Sequence, residues 1–154
     1  NSDYKETMTR CGRDFIRKWG DWIHNDKFQY PIINSKYDIG FIIQNSNLQL
    51  LEALEPWCST IYIDNDRLKY ITLEQPKTSF NLSEKVLPYD NEKNNEILVE
   101  IDANTFNQND LNYIQNISAI IQDSGEIGQF KLGNLQITIN KLNTYENELI
   151  VCKK

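Results

Sequence analysis

The stretch from Tyr37 to Asp64 constrains the fold more than any other part of this sequence. Tyr37–Gln44 (YDIGFIIQ) is a nearly continuous apolar run, the pattern of a strand covered on both faces. Asn45 and Ser46 are turn and cap formers, and Leu48, Leu51 and Leu54, with Leu50 beside them, supply the inner face of a helix. Pro56 stops that helix, because its ring removes a backbone donor and clashes with the preceding turn. Ser59–Asp64 (STIYID) is then a second apolar strand. Two parallel strands joined by one helix form a right-handed βαβ unit.

The rest of the chain extends that unit. Arg67–Glu74 reads as a short helix stopped by Pro76, Asn81–Val86 as a short helix or an extended piece, and 90–95 as a polar loop. Glu96–Asp102 (EILVEID) is a third strand. Asn109–Asp123 reads as one helix with Leu111, Ile114, Ile117, Ile120 and Ile121 inward, Asn107 as its N-cap and Gly125 just past its end. Ile127–Leu132 and Leu135–Asn140 flank Gly133-Asn134, a hairpin signal, and Leu149–Cys152 reads as a last strand. The expected fold class is α/β: a mixed, mostly parallel sheet with a βαβ unit, flanking helices and a C-terminal antiparallel hairpin.

Ahead of it, residues 3–19 have the period of an amphipathic helix. Tyr4, Met8, Cys11, Phe15 and Trp19 share one face, Arg10, Arg13 and Arg17 lie opposite, and Gly20 is placed to end it. The helix is expected to dock through its apolar stripe, since a helix this short is marginal alone. Residues 21–36 look like a connector. The division is therefore residues 1–35, helix and connector, and residues 36–154, α/β domain.

Composition narrows the function classes. The chain of 154 residues is long enough for one domain with its own core. With 16 basic and 22 acidic side chains its formal charge is −6 and its pI about 4.8, which argues against a nucleic-acid partner held by phosphate contacts. No stretch approaches the ~20 apolar residues of a membrane span. The three cysteines, Cys11, Cys58 and Cys152, are odd in number and lack metal-site spacing, so a reducing cytoplasm is expected. The one histidine, His24, leaves no Ser-His-Asp arrangement; a Cys–His pair of His24 with Cys11 or Cys58 competes with plain buried cysteine. The sequons at Asn81 and Asn116 are chance matches in an Asn-rich chain.

Ligands of such sheets gather at the carboxyl ends of the parallel strands. Here those ends are Gln44-Asn45, Asp64-Asn65-Asp66 and Asp102-Ala103-Asn104. Asp64 and Asp66 are candidate oxygen ligands for Mg²⁺ or Mn²⁺ against a diphosphate, with Asp102 as a third carboxylate and Asn45 beside them. The competing reading is ordinary turn chemistry. Nucleotide-binding Gly loops are absent, and although Asp38-Ile39-Gly40 is similar to the first motif of S-adenosylmethionine methyltransferases, that motif's later glycines are missing. Arg10, Arg13 and Arg17 form either a solvated face or a basic stripe for a phosphate-rich ligand or an anionic membrane surface. Trp19, Trp22, Tyr30 and Trp57 are candidates for stacking on sugar rings, or core residues.

Arg13–Gly20 (RDFIRKWG) resembles the closing helix of bacterial family 2 glycosyltransferases, where a segment x-x-F-x-x-K-W-G follows the GT-A catalytic core; Phe15, Lys18, Trp19 and Gly20 match it. The resemblance implies that residues 1–20 are the tail of a transferase catalytic domain and that residues 36–154 are an α/β domain appended to it. The family's metal motif and catalytic base would lie upstream, and Asp64-Asn65-Asp66 comes after the tail, in the wrong order to be that motif. The expectation is a non-catalytic C-terminal domain in surface-polysaccharide or glycan assembly, binding an acceptor or docking the catalytic domain of the same polypeptide or a partner protein. A glycan or sugar nucleotide is the ligand this implies. The alternatives are a small metal-dependent enzyme or binding domain using Asp64 and Asp66 on a nucleotide sugar or phosphorylated ligand, and a plain protein-interaction module.

Overall fold

A computed structural model describes residues 2–21, 24–25, 27–32 and 36–145. It begins with α1 (Ser2–Trp19), β1 (His24–Asn25), β2 (Pro31–Ile32) and β3 (Lys36–Tyr37). There follow β4 (Ile39–Gln44), α2 (Leu48–Leu54), β5 (Thr60–Ile63), α3 (Arg67–Glu74), α4 (Leu82–Lys85), β6 (Val86–Pro88) and β7 (Ile97–Asp102). The last elements are α5 (Gln108–Gln115), α6 (Ile117–Ser124), β8 (Gly128–Leu132), β9 (Leu135–Ile139) and β10 (Thr144–Tyr145). The expected strand at Leu149–Cys152 lies outside the described residues.

The main sheet has six strands in the order β6-β5-β4-β7-β9-β8. The first four run parallel; β9 is antiparallel to β7, and β8 pairs with β9 across the Gly133-Asn134 turn. This is the α/β class expected from the sequence. β1 pairs with β2, and β10 returns to pair with β3. From β4 the chain steps outward to β5 and β6, then crosses back to lay β7 on the other side of β4. The strand order thus reverses between β4 and β7, the switch point at which such sheets open a crevice.

Local chemistry sets the boundaries. Asn47 caps α2 by accepting from the Leu50 N–H, and Pro56 tightens the end of that helix into a 3-10 turn at Glu55–Trp57. Pro76 does the same after α3, in Gln75–Lys77. The single helix expected over 109–123 is two, broken at Asn116, whose φ of −119° and ψ of 16° leave the helical region. Its side-chain amide donates to the Asn112 carbonyl at 2.8 Å, a local bond that competes with helix continuation. The ambiguous segment 81–86 resolves into α4 followed by β6. Pro88 is tolerated there because β6 is an edge strand with only β5 beside it.

The core lies on one side of the sheet. Leu50, Leu51, Leu54, Tyr70, Leu82, Ile114, Ile117 and Ile121 from the helices join one apolar cluster with Ile39, Phe41, Ile43, Ile61, Ile63, Val99, Ile101 and Ile137. Those are alternate strand residues, so the helices cover one face. Ile42 and Tyr62, on the other face, are buried as well, and Tyr62 meets the segment before β7: it donates to Asn95 Oδ1 at 2.8 Å, and Lys93 Nζ sits 5.2 Å from its ring centroid. Asn95 lies so close over Gly40 that a Cβ there would stand 2.4 Å from its Oδ1.

The docking of α1 corrects the expectation for Cys11, Phe15 and Trp19; the side chains of Tyr4 and Met8 lie outside the described residues. Arg13 and Arg17 face the domain, while Cys11 is exposed and Phe15 and Trp19 are only half-buried. Arg17 is 4% exposed. It donates to Glu55 through Nε at 2.9 Å and again through Nη2, to Glu74 at 2.8 Å and to Asp14 at 2.7 Å. Arg13 adds bonds to Glu74 (3.0 Å), the Tyr70 hydroxyl (3.0 Å) and the Glu52 carbonyl (2.6 Å). The reason is that Glu55 and Glu74 are buried at the ends of α2 and α3, and a buried carboxylate without a cation costs more than leaving some apolar surface wet. Lys36 Nζ completes the joint by donating to the Arg17 and Lys18 carbonyls at the end of α1.

Candidate functional site

The three strand ends named from the sequence do meet. Asn45, in the left-handed region at φ 57°, turns the chain out of β4. Its N–H donates to Asp64 Oδ2 at 2.7 Å, and its side-chain amide donates to Asp102 Oδ1 at 3.0 Å. The Ser46 N–H donates to Asp64 Oδ1 at 3.0 Å, and Ser46 Oγ lies 3.0 Å from the same oxygen. Asn45 therefore spans the ends of β4, β5 and β7, and both carboxylates are engaged in holding loops.

Their titration follows from those bonds. Desolvation pulls the Asp64 carboxyl upward, but the donors at Asn45 and Ser46 outweigh it and hold the group below its ordinary value. Asp102 is also lowered, first by the Asn104 N–H and then by the Asn45 amide. Asp64 is held by Asn45 and Ser46, whereas Asp66 is exposed, sits at φ 66°, precedes α3, and does not cap that helix with its side chain. Among the described residues no group of three His, Cys, Asp or Glu side chains is placed to hold a metal ion.

Beside this knot, at the switch point, a cleft of about 310 Å³ opens between α2 and α5. Asn47, Gln49, Leu50 and Ala53 form one wall; Ala103, Phe106, Asn107, Gln108 and Leu111 form the other. The second wall is anchored by Asp110, which has no exposed surface. Asp110 and Asn107 cap each other, side chain to backbone, in a capping box. The Asp110 carboxylate also accepts from the Asn134 backbone at 3.1 Å and side chain at 3.0 Å, tying the start of α5 to the β8–β9 hairpin. The Asn134 amide reaches on to the Thr105 carbonyl at 2.8 Å.

Other candidates resolve differently. Arg13 and Arg17 are tied into the joint described above, so of the expected basic stripe Arg10 is the member left on the exposed surface. Burial pushes the Cys58 thiol up to about 12, the opposite of an activated nucleophile, and its Sγ donates to the Glu55 carbonyl. The side chains of Trp22 and His24 lie outside the described residues. Trp57 packs against the core and Tyr30 is exposed. Asp38 takes no part at the carboxyl ends; it accepts from the Asn95 amide at 2.6 Å.

The chain is thus an α/β sheet protein with its helices on one face and a neutral cleft at the strand-order reversal. Comparison with protein-family models, curated proteins and solved structures finds no match.

Proposed function

We propose that this chain is the non-catalytic C-terminal α/β domain of a bacterial, cytoplasmic glycosyltransferase of surface-polysaccharide or glycan assembly. Its role is to bind the acceptor or to dock the catalytic domain of the same polypeptide or a partner protein. The observation that carries the reading is the state of the strand ends: Asp64 and Asp102 are spent on Asn45, Ser46 and Asn104, and the neighbouring cleft offers amides and apolar surface. That is the chemistry of recognition. The family comes from the RDFIRKWG resemblance, whose helix is bound to the domain by a buried ionic joint, as suits an element shared with a preceding domain. A metal-dependent enzyme built on Asp64 and Asp66 is less well supported, because Asp64 is taken up by Asn45 and Ser46 and, among the described residues, no group of three His, Cys, Asp or Glu side chains is placed to hold a metal ion.

The test incubates the chain with Mn²⁺ and a panel of sugar nucleotides and follows nucleotide release. The expected result is no release above buffer, with the native gene product a longer polypeptide that does turn the donor over. Release by this chain that disappears in Asp64→Asn would overturn the proposal.

A further inference from the structure

The cleft between α2 and α5 has a composition that narrows its ligand. Four of its lining side chains are amides, Asn47, Gln49, Asn107 and Gln108, and the rest are apolar, with Phe106 the one aromatic; no charged side chain lines it. An anionic ligand would find no cation in the wall and two carboxylates, Asp64 and Asp102, close behind it. The two helix starts that border the cleft each have a first-turn N–H taken up by their cap, that of Leu50 by Asn47 in α2 and that of Asp110 by Asn107 in α5, and at α5 the Asp110 carboxylate offsets the positive end. A cationic ligand would find no carboxylate within the lining. What remains is a neutral molecule with hydroxyls on its edge and a C–H face.

The amides are suited to that. Asn47 Oδ1 and Asn107 Oδ1 are used for capping, which leaves each Nδ2 as a donor beside the cleft. Gln49 offers a donor and an acceptor, and Gln108, whose Nε2 donates to Asn112 at 3.2 Å, offers its Oε1 as an acceptor. Donors and acceptors therefore stand on both walls, with Leu50 on one and Phe106 and Leu111 on the other as apolar surface. The volume, about 310 Å³, sits at the low end of small-ligand pockets, which suits one or two sugar rings.

We propose that this cleft is a saccharide-binding site for an uncharged mono- or disaccharide unit, with Gln49 and Gln108 as the hydroxyl-reading residues and Phe106 as the surface under the ring. The inference rests on the reading of the domain as an acceptor-binding module and names the acceptor chemistry. The experiment titrates the ¹⁵N-labelled full chain with glucose, N-acetylglucosamine and maltose, and separately with glucose 6-phosphate and UDP. The expected result is amide shifts confined to 47–53 and 103–111, with a dissociation constant near ~1 mM for a neutral sugar and weaker or no response to the phosphorylated probes. Gln108→Ala, at an exposed position, is expected to weaken binding about tenfold, as loss of one well-placed hydrogen-bonding group would. Phe106→Ala is expected to weaken it as well, with the remaining spectrum unchanged as the check on folding. Shifts that map elsewhere, no response to any neutral sugar, or tighter binding of the phosphorylated probes would each overturn the inference. None of those results touches the non-catalytic reading, which stands or falls on nucleotide release.

Discussion

Glu55 is wholly buried, yet it is ionised, and the reason is local. Desolvation raises its carboxyl, but the hydrogen bonds from Arg17, the charge of Lys85 at 2.8 Å and the charge of Arg17 outweigh it and bring the group down to about 2 from an ordinary 4.5. The sign of the linkage follows. A carboxyl depressed in the folded state stabilises the fold fully above pH 4.5, and that stabilisation is lost as pH falls toward 2. Glu55→Gln should leave Arg17 buried with one carboxylate fewer and cost about 3–5 kcal/mol at neutral pH. It should also flatten the acid limb of the stability profile, since the group that titrates there is gone. Urea unfolding of both proteins across the acid range checks this; parallel profiles would show that Glu55 is not the group responsible. Only half of this joint was legible in the sequence. Arg13 and Arg17 declared themselves as one helix face, but the carboxylates that Arg17 meets lie 38 and 57 residues away and the one that Arg13 meets lies 61 away, in positions that read as exposed helix ends. Nothing local marks a glutamate as the one that will be buried.

At the scale of elements, the sequence was most readable where one residue decides a geometry. Asn107, Gly125, Pro56 and Gly133-Asn134 each did so, and the start of α5, the end of α6, the end of α2 and the hairpin lie where those residues put them; the cap of α2 is Asn47, one residue past the expected Asn45 and Ser46. It was least readable where partners are distant. β6 is three residues long and is a strand only because β5 is there to pair with it, and the cleft residues Gln49, Phe106 and Gln108 carry no signal in an Asn- and Gln-rich chain. Gly40 shows the same limit. Its position inside an apolar run looks like a weak spot in a strand, yet Asn95 is the cause. The Asn95 side chain lies on the Gly40 Cα and is fixed by Tyr62, by Asp38 and, at 3.3 Å, by Thr60. Gly40→Ala should therefore cost about 1–3 kcal/mol, because the neighbour it strikes is held in a network and cannot step aside freely. In an Asn95→Ala background most of that penalty should vanish, giving a coupling well above the ~0.5 kcal/mol seen for independent sites. A denaturation-based double-mutant cycle measures it, and additivity would mean that the glycine is required for another reason.

The whole molecule raises the question of where the domain begins. Sequence patterning places the boundary near residue 36, where strand-like periodicity starts, and treats α1 as an appendage. The ionic joint ties α1 to the sheet's helices: Glu55 and Glu74, at the ends of α2 and α3, take cations from Arg13 and Arg17, and without α1 Glu55 keeps Lys85 and the Tyr70 hydroxyl. The joint is mostly closed to solvent, with Arg17, Glu55 and Glu74 all buried, so added salt should screen it poorly, unlike a surface pair. A chain beginning at residue 21 should then be less stable than the full chain by about 3 kcal/mol, since two carboxylates lose partners and only part of the desolvation is relieved by entering water. Adding Glu55→Leu to the shortened chain should recover part of that loss, because a buried charge that has lost Arg17 is removed; the same substitution in the full chain should be harmful, because it takes the Glu55 carboxylate from buried Arg17. Equal unfolding midpoints for the shortened and full chains would place the boundary after α1. A midpoint that drops and then rises with Glu55→Leu places α1 inside the domain.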